Sequence, residues 1–468
     1  MKIIKLIFTG LIIFAMTTNV IAQDLSKGQI SEKDLMQIKK AYSNKAEYKA
    51  LTNAVTNNDI QKLALNRENL YEADFYFSNK VKTSGITNQK SSGRCWLFTG
   101  LNVIKPFAIK NLNVSNFEFS QNYCFFWDQL EKANLFLEGI ITTIDKPIDD
   151  RKVEWFFKHP LSDGGQWTGV VDIIEKYGVV PKDVMPESYN SDNTRMMSRL
   201  VKRKLREDGM ILRDIYKKDN KTNKLNDKKI EMLGEVYRIL AITLGEPPVE
   251  FSWRYKNKDG NISELKNYTP KSFYKEAVGI NLNDYVMFMN DPSRELNKLF
   301  EIEYDRHIYE GNNWKFINLP IEQIKEFAKA SIIDNEAMYF SCDVGKQLNK
   351  NKGTLDVNNY NYGELFGVNF GMNKKQRIQT FESGSTHGMT LIAIDIDESG
   401  KTVKWLLENS WGSSSGFKGK LIMTDEWFNE YMFRVVINKK YISEDVLKIL
   451  EQKPVMLPPW DPMFTPDE

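Results

Sequence analysis

The sequence predicts an α+β chain, with helices through its front part, a long charged helical insertion in the middle and a run of strands toward its end. Three observations carry that prediction. Apolar residues recur at helical spacing in successive segments up to about residue 245. Beyond about Ile332 the pattern changes to short runs rich in β-branched and aromatic residues. Hydrophobic residues make up 41% and charged residues 27% of 468 positions, a globular balance with enough chain for two or three folding units and a large core.

Residues 1–22, MKIIKLIFTGLIIFAMTTNVIA, place two lysines before an apolar run and end on short residues. That is a secretory signal pattern, and the run is too short to span a bilayer. The expectation is an exported protein, periplasmic or secreted, with no stable membrane anchor after cleavage. From Ile30 to about Asp74 charged and apolar residues alternate at helical spacing without Gly or Pro. A polar loop, TSGITNQKSS, covers 83–92. Leu97, Phe98, Leu101 and Ile104 then form a helix stripe that should end near Pro106. A second helix is expected over Ser120–Leu137, followed by the Gly-rich loop HPLSDGGQWTG (159–169) and a helix over Val170–Tyr177. Residues 194–245 read as the helical insertion. A hairpin, Phe251–Tyr255 with Ile262–Leu265, turns at Asn257-Lys258-Asp259-Gly260, and Thr269-Pro270 starts another helix. Strands are expected at Ala337–Cys342, Met389–Asp397, Thr402–Glu408 and Met432–Asn438.

The formal charge is +2, and Lys2 and Lys5 lie in the leader, so the remainder is neutral. Neutrality disfavours nucleic acid as the main partner, because phosphate binding needs concentrated basic charge. The basic stretch Lys202–Arg206 reads as a solvated helix face balanced by Glu207, Asp208 and Asp214. Three cysteines, Cys95, Cys124 and Cys342, make no disulfide framework, and none is spaced as a metal ligand pair. With only His159, His307 and His387 in the chain, no metal or other cofactor is expected. His159 precedes Pro160 in a loop, and His307 is expected within a helix. Cys124 and Cys342 read as small core residues, with a disulfide between them left open.

Cys95 stands between a Gly-containing loop and a helix start, where unpaired backbone N–H groups and the helix dipole favour a thiolate and can later hold an oxyanion. Gln89, upstream on that loop, offers a second donor. His387 stands at the entrance to the strand Met389–Asp397, and Asn409 follows the strand Thr402–Glu408. A turn at Glu398-Ser399-Gly400 sets His387 and Asn409 opposite one another across the ladder. Asn409 can then fix the imidazole tautomer while Trp411 covers the bond.

Gln89 and SGRCW (92–96) resemble the papain-type catalytic loop. More closely, TNQKSSGRCW (87–96), FSQNY (119–123), DGGQW (163–167), KYGVVPK (176–182), THGM (386–389), ENSWG (408–412) and PWDPM (459–463) resemble the bleomycin hydrolase, or aminopeptidase C, family of papain-like cysteine peptidases. The resemblance runs in order from about residue 60 to the end of the sequence. It implies a papain-like fold with a helical part carrying the Cys, a β-barrel-like part carrying His and Asn, and a large mainly helical insertion. With the signal peptide 1–22 set apart on its own pattern, the implied division is a helical part 23–190, a helical insertion and oligomerisation region 191–330, a β-rich part 331–450 and an arm 451–468 reaching the cleft.

By the same resemblance Cys95 is the nucleophile, His387 the general base and acid, Asn409 its orienter and Gln89 the oxyanion donor. Gly164 and Gly165 bind the substrate chain, and the carboxylate at Glu468 captures the free amine of a peptide. The implied function is a thiol aminopeptidase acting on peptide substrates, assembled as a homohexameric ring. Here the residues after Met463 are bulky and acidic, which leaves endopeptidase or oligopeptidase action by the same mechanism open. A nucleic-acid- or peptide-binding ring with weak activity is the remaining alternative.

Overall fold

Where these helices begin, the sequence supplies a polar side chain for the orphan backbone N–H groups. Ser120 accepts from the N–H of Tyr123 to open the helix Gln121–Thr142, and Asp150 accepts from Lys152 and Val153 to open Arg151–Lys158. The helix Cys95–Asn111 differs, since Arg94 at its N-cap makes no side-chain capping bond. The computed structural model describes residues 28–42, 46–69, 74–219 and 223–461, so the leader 1–22 and residues 462–468 lie outside the described residues.

The chain divides into two units, 1–64 and 65–468. In the first, the helical expectation holds for Glu32–Lys39, Ala46–Asn57 and Ile60–Ala64, the first of them opened by a Ser31–Asp34 capping box. The stretch from Leu65 to Asn69 is not helical, so the helical spacing stops short of Asp74.

In the second unit a twelve-stranded mixed sheet forms one layer. Its order is Val455–Leu457, Lys298–Ile302, Lys315–Asn318, Tyr285–Met289, Met432–Asn438, Met338–Cys342, His387–Ile396, Thr402–Glu408, Lys420–Thr424, Thr354–Leu355 and Leu348–Asn349, with Asn79–Lys80 added against His387–Ile396. Helices Cys95–Asn111, Gln121–Thr142 and Trp167–Tyr177 pack together around Trp96, Leu101, Phe125, Leu137 and Val170, all buried. A second core, on the sheet, holds Phe340, Leu391, Ile394, Trp405, Trp427 and Val435, with the helix Ile321–Ile333 packed on it. The helix that starts at Cys95 lies directly against the strand that starts at His387. That contact joins the front and rear of the chain.

Four expectations are corrected. The helix does not stop near Pro106; it continues to Asn111, because Ile104, Lys105 and Ala108 on either side are buried and their packing outweighs the one lost backbone bond. The insertion is not helical throughout. Helices Arg195–Asp219 and Asn223–Leu244 pack on each other and on Gln121–Thr142, but Tyr285–Met289, Lys298–Ile302 and Lys315–Asn318 are strands of the main sheet. Short apolar runs such as Tyr285–Met289, buried at every position, look alike as strand or helix by periodicity. His307 accordingly sits in irregular backbone between strands. The hairpin is displaced, with Phe251–Trp253 pairing Lys266–Tyr268 and only the bridge Lys256↔Ile262 nearer the turn. Within Lys202–Arg206, Lys204 is held by Asp208 and Glu235, and Arg206 donates to the carbonyls of Phe157 and Lys158.

Candidate active site

Cys95 is the first residue of its helix and is 8% exposed. Arg94 makes no side-chain cap on that helix, its carbonyl takes the N–H groups of Leu97 and Phe98, and the helix dipole adds a partial positive charge beside the sulfur. Arg94 is itself fully buried, bonded to Glu187 and Ser92 and stacked on Phe98 and Phe125, which fixes the angle at which the loop enters the helix. Within the loop, Lys90 adopts a left-handed conformation, φ +53°, a strain of order 1 kcal/mol.

The loop is fastened to the rear of the chain. The N–H of Gln89 donates to the carbonyl of Ser410 at 2.8 Å, Asn88 bridges Trp411, and the N–H of Gly412 donates to the carbonyl of Thr87. A Cβ at Gly412 would stand 2.7 Å from Asn88 Nδ2, so the close approach requires glycine. The hydroxyl of Ser410 donates to Gln89 Oε1 at 2.6 Å, while Gln89 Nε2 donates to the carbonyl of Ser92 at 2.7 Å. One N–H of that amide is thus used, and an amide carries two.

His387 opens its strand next to Gly388, whose Cβ position lies 3.6 Å from Cα of Trp96 and 3.2 Å from the hydroxyl of Thr99. The backbone at the start of this strand therefore lies against the first turns of the Cys95 helix. His387 Nε2 meets Asn409 Oδ1 at 2.8 Å, and Trp411 covers the pair with ring centroids 4.8 Å apart. Fixing Nε2 on the amide oxygen leaves Nδ1 for the thiol. The sequence reading needed a correction in register. The strands pair Thr390 with Glu408 and Ile394 with Trp405, so Asn409 falls beyond that ladder, while on its other edge His387 pairs with Cys342. The turn centres on Ser399, with Asp397 bonded to Lys401, one residue later than the sequence reading placed it, and this displaces the pairing by two; the two one-residue shifts in the ladder cancel.

Burial pushes the thiols of Cys124 and Cys342 well up, with nearby Asp128 and Asp343 adding to it, so both are inert core residues with no disulfide between them. Burial also pushes His387 down to about 4, opposed by the bond to Asn409. A neutral ring is thereby favoured until a proton arrives from a partner close at hand.

Gly164 and Gly165 flank a cavity of about 200 Å³ whose lining includes Ser385, Tyr304, Asp305 and Pro459. Gly165 has no room for a side chain, since a Cβ would stand 2.4 Å from His307 Cε1 and 2.7 Å from Trp96. Trp96 Nε1 donates to the carbonyl of Asp163 at 2.7 Å, tying the glycine loop to the residue after Cys95. The structure thus gathers Gln89, Cys95, His387, Asn409, Gly164 and Gly165 in one region, while Glu468 lies outside the described residues.

Sequence reasoning missed Ser410 as the clamp on Gln89 and the buried pair of Lys105 with Glu408, 3.2 Å apart at 2% and 1% exposure. That pair joins the Cys95 helix to the residue before Asn409. A charged residue at an apolar helix position, Lys105 after Ile104, was the available signal. Among the described residues no group of three or more His, Cys, Asp or Glu side chains could hold a metal, and no helix is long and apolar enough to cross a membrane.

Comparison with known proteins is consistent across sequence and structure. The Peptidase C1-like family matches residues 29–464. Bleomycin hydrolase of Rattus norvegicus is 43% identical over 385 residues, covering 80% of this chain and 85% of the relative. Aminopeptidase C of Streptococcus thermophilus is 39% identical over 424 residues, 90% and 95% of the two chains. The crystal structure of PepW from Lactobacillus rhamnosis HN001 superposes with a TM-score of 0.90 at 38% identity, over 94% of this chain and 99% of that one.

Proposed function

The chain belongs to the Peptidase C1-like family and is a cysteine peptidase, and from that premise we propose that it hydrolyses peptides from their free N-termini with Cys95 as nucleophile. The observation that carries the reading is the 2.8 Å bond from His387 to Asn409, made by a residue whose strand packs against the Cys95 helix. Nδ1 of His387 takes the thiol proton, and the sulfur attacks the scissile carbonyl. The N–H of Cys95 and the second N–H of Gln89 hold the oxyanion. As the C–N bond breaks, His387 returns the proton to the leaving amine and then activates the water that releases the acid from the thioester.

Two observations support action at N-termini. The relatives named above include an aminopeptidase. The segment Val455–Leu457 pairs with Lys298–Ile302, Trp460 stacks under Arg151, Asp461 pairs with Arg294, and Pro459 lines the cavity beside Gly164 and Gly165. On this reading the carboxylate at Glu468, seven residues beyond Asp461, captures the substrate amine.

We propose further that residues 1–22 direct export to the periplasm or beyond. We propose likewise a homo-oligomer, a hexamer by family resemblance. Cys95→Ala should abolish hydrolysis of aminoacyl coumarin amides with the fold intact, and undiminished turnover refutes the assignment. A peptide library digested with free or acetylated N-termini tests the aminopeptidase step, and equal cleavage of both pools refutes it. Residue 23 at the N-terminus of the mature protein would support export, and light scattering reads the assembly.

A further inference from the structure

The glycine loop beside the cavity is held from behind in an unusual way. Three successive carbonyls, of Ser162, Asp163 and Gly164, are each taken by a side chain of the helical core. Lys132 Nζ donates to Gly164 at 2.6 Å and to Ser162 at 3.0 Å, Gln129 Nε2 donates to Ser162 at 3.0 Å, and Trp96 Nε1 takes Asp163. In a trans peptide the C=O and the following N–H point in opposite directions. Turning the Gly164 carbonyl toward Lys132 therefore turns the N–H of Gly165 away from the core. That N–H has no partner among the described residues, and Gly165 lines the cavity.

Lys132 is in turn fixed. Its side chain is 11% exposed, pairs with Asp128 Oδ2 at 2.9 Å and lies over the Trp96 ring. Asp128 is fully buried, and its other oxygen meets His307 Nδ1 at 2.5 Å. Burial by itself would raise the Asp128 pKa, yet Lys132 and His307 bring it below the usual value, so the anchor of Lys132 is a carboxylate. The His307 ring, edge-on to Trp96, fills the space under Gly165 and Gly169. Removing Lys132 would free the Gly164–Gly165 peptide to flip without removing a hydrogen bond to His387 or Asn409.

We propose that Lys132 is a positioning residue for substrate: by holding the Gly164 carbonyl it presents the N–H of Gly165 as the donor to the backbone of the residue that precedes the one at the scissile bond. This rests on the peptidase reading above. It predicts a selective defect, because a substrate with a single residue before the scissile bond does not reach the loop and one with two does.

The test compares an aminoacyl and a dipeptidyl coumarin amide with the same residue at the scissile bond, in wild type, Lys132→Met and Lys132→Arg. Alkylation of Cys95 by iodoacetamide is followed in parallel. For Lys132→Met the KM of the dipeptidyl substrate should rise about tenfold or more with kcat within about threefold, the aminoacyl KM should stay within about twofold, and the alkylation rate should be unchanged. Lys132→Arg, which keeps the charge and donors, should recover part of the loss. A dipeptidyl KM within twofold of wild type, or equal losses on both substrates, overturns the proposal. If Lys132→Met does not fold, Lys132→Gln is read against the same thresholds. Wild-type activity that survives complete alkylation of Cys95 refutes the peptidase reading itself, a result distinct from any Lys132 outcome.

Discussion

Asn409→Ala isolates the part of the site that holds the imidazole. Asn409 Oδ1 accepts from His387 Nε2 at 2.8 Å and from the N–H of Ser410 at 2.7 Å, with His387 and Asn409 6% and 1% exposed. The two bonds have different consequences. The bond to Ser410 exists in the resting protein, and its loss leaves a buried N–H unpaired, at about 1–3 kcal/mol of stability. The bond to His387 strengthens when the ring becomes cationic during acylation. A hydrogen bond to a charged group is worth about 1.5–3 kcal/mol, which at 1.36 kcal/mol per decade is roughly a 10- to 150-fold fall in kcat/KM.

The same substitution has a pH signature of definite sign. Burial drives the His387 pKa down and Asn409 opposes it, so removing Asn409 lowers it further. The acid limb of kcat/KM then moves to lower pH, because more acid is needed to trap the ring as imidazolium without a thiolate beside it. The assay is kcat/KM on an aminoacyl coumarin amide from pH 4 to 9, alongside urea denaturation. An acid limb displaced upward, or a rate within threefold of wild type with normal stability, would refute the orienting role.

Glu408→Gln should cost about 3–5 kcal/mol in urea denaturation, because it strands the Lys105 ammonium in the interior; an unchanged midpoint would show that the two residues do not hold the helix to the strand. Gly165→Ala should cost about 1–3 kcal/mol and weaken substrate binding, since its Cβ would lie 2.4 Å from the His307 ring, and wild-type KM and stability would count against the close packing described. Asp172 is pushed up to about 7, chiefly by burial, with the backbone N–H groups of His307 and Ile308 opposing. A carboxyl raised in the folded state binds its proton more tightly there than when unfolded. Its contribution to stability is therefore full below about pH 4 and declines as pH rises through 7. Asp172→Asn should flatten that slope in denaturation midpoints, and an identical slope in the variant would dismiss Asp172 as its source.

Local sequence determined a good deal of this protein. Thr402–Glu408 and Met432–Asn438 are strands at the residues expected, because alternation of side chains and flanking turns are written over a few positions. Cys95 at a helix start, Gln89 on the loop before it, and His387 and Asn409 at strand ends were legible for the same reason. Three things were decided only when distant segments met. The strands at 285–318 joined the sheet because their burial depends on neighbours far along the chain. A turn centred on Ser399 moved His387 off the position opposite Asn409, and a two-residue change in register leaves the alternating pattern of both strands intact, so nothing local distinguishes the two pairings. Finally, Lys132 reads as one more charged residue on an amphipathic helix; its hold on Gly164 exists because the glycine loop folds back over the helix, and the cost of burying unpaired carbonyls selects the side chain that satisfies them.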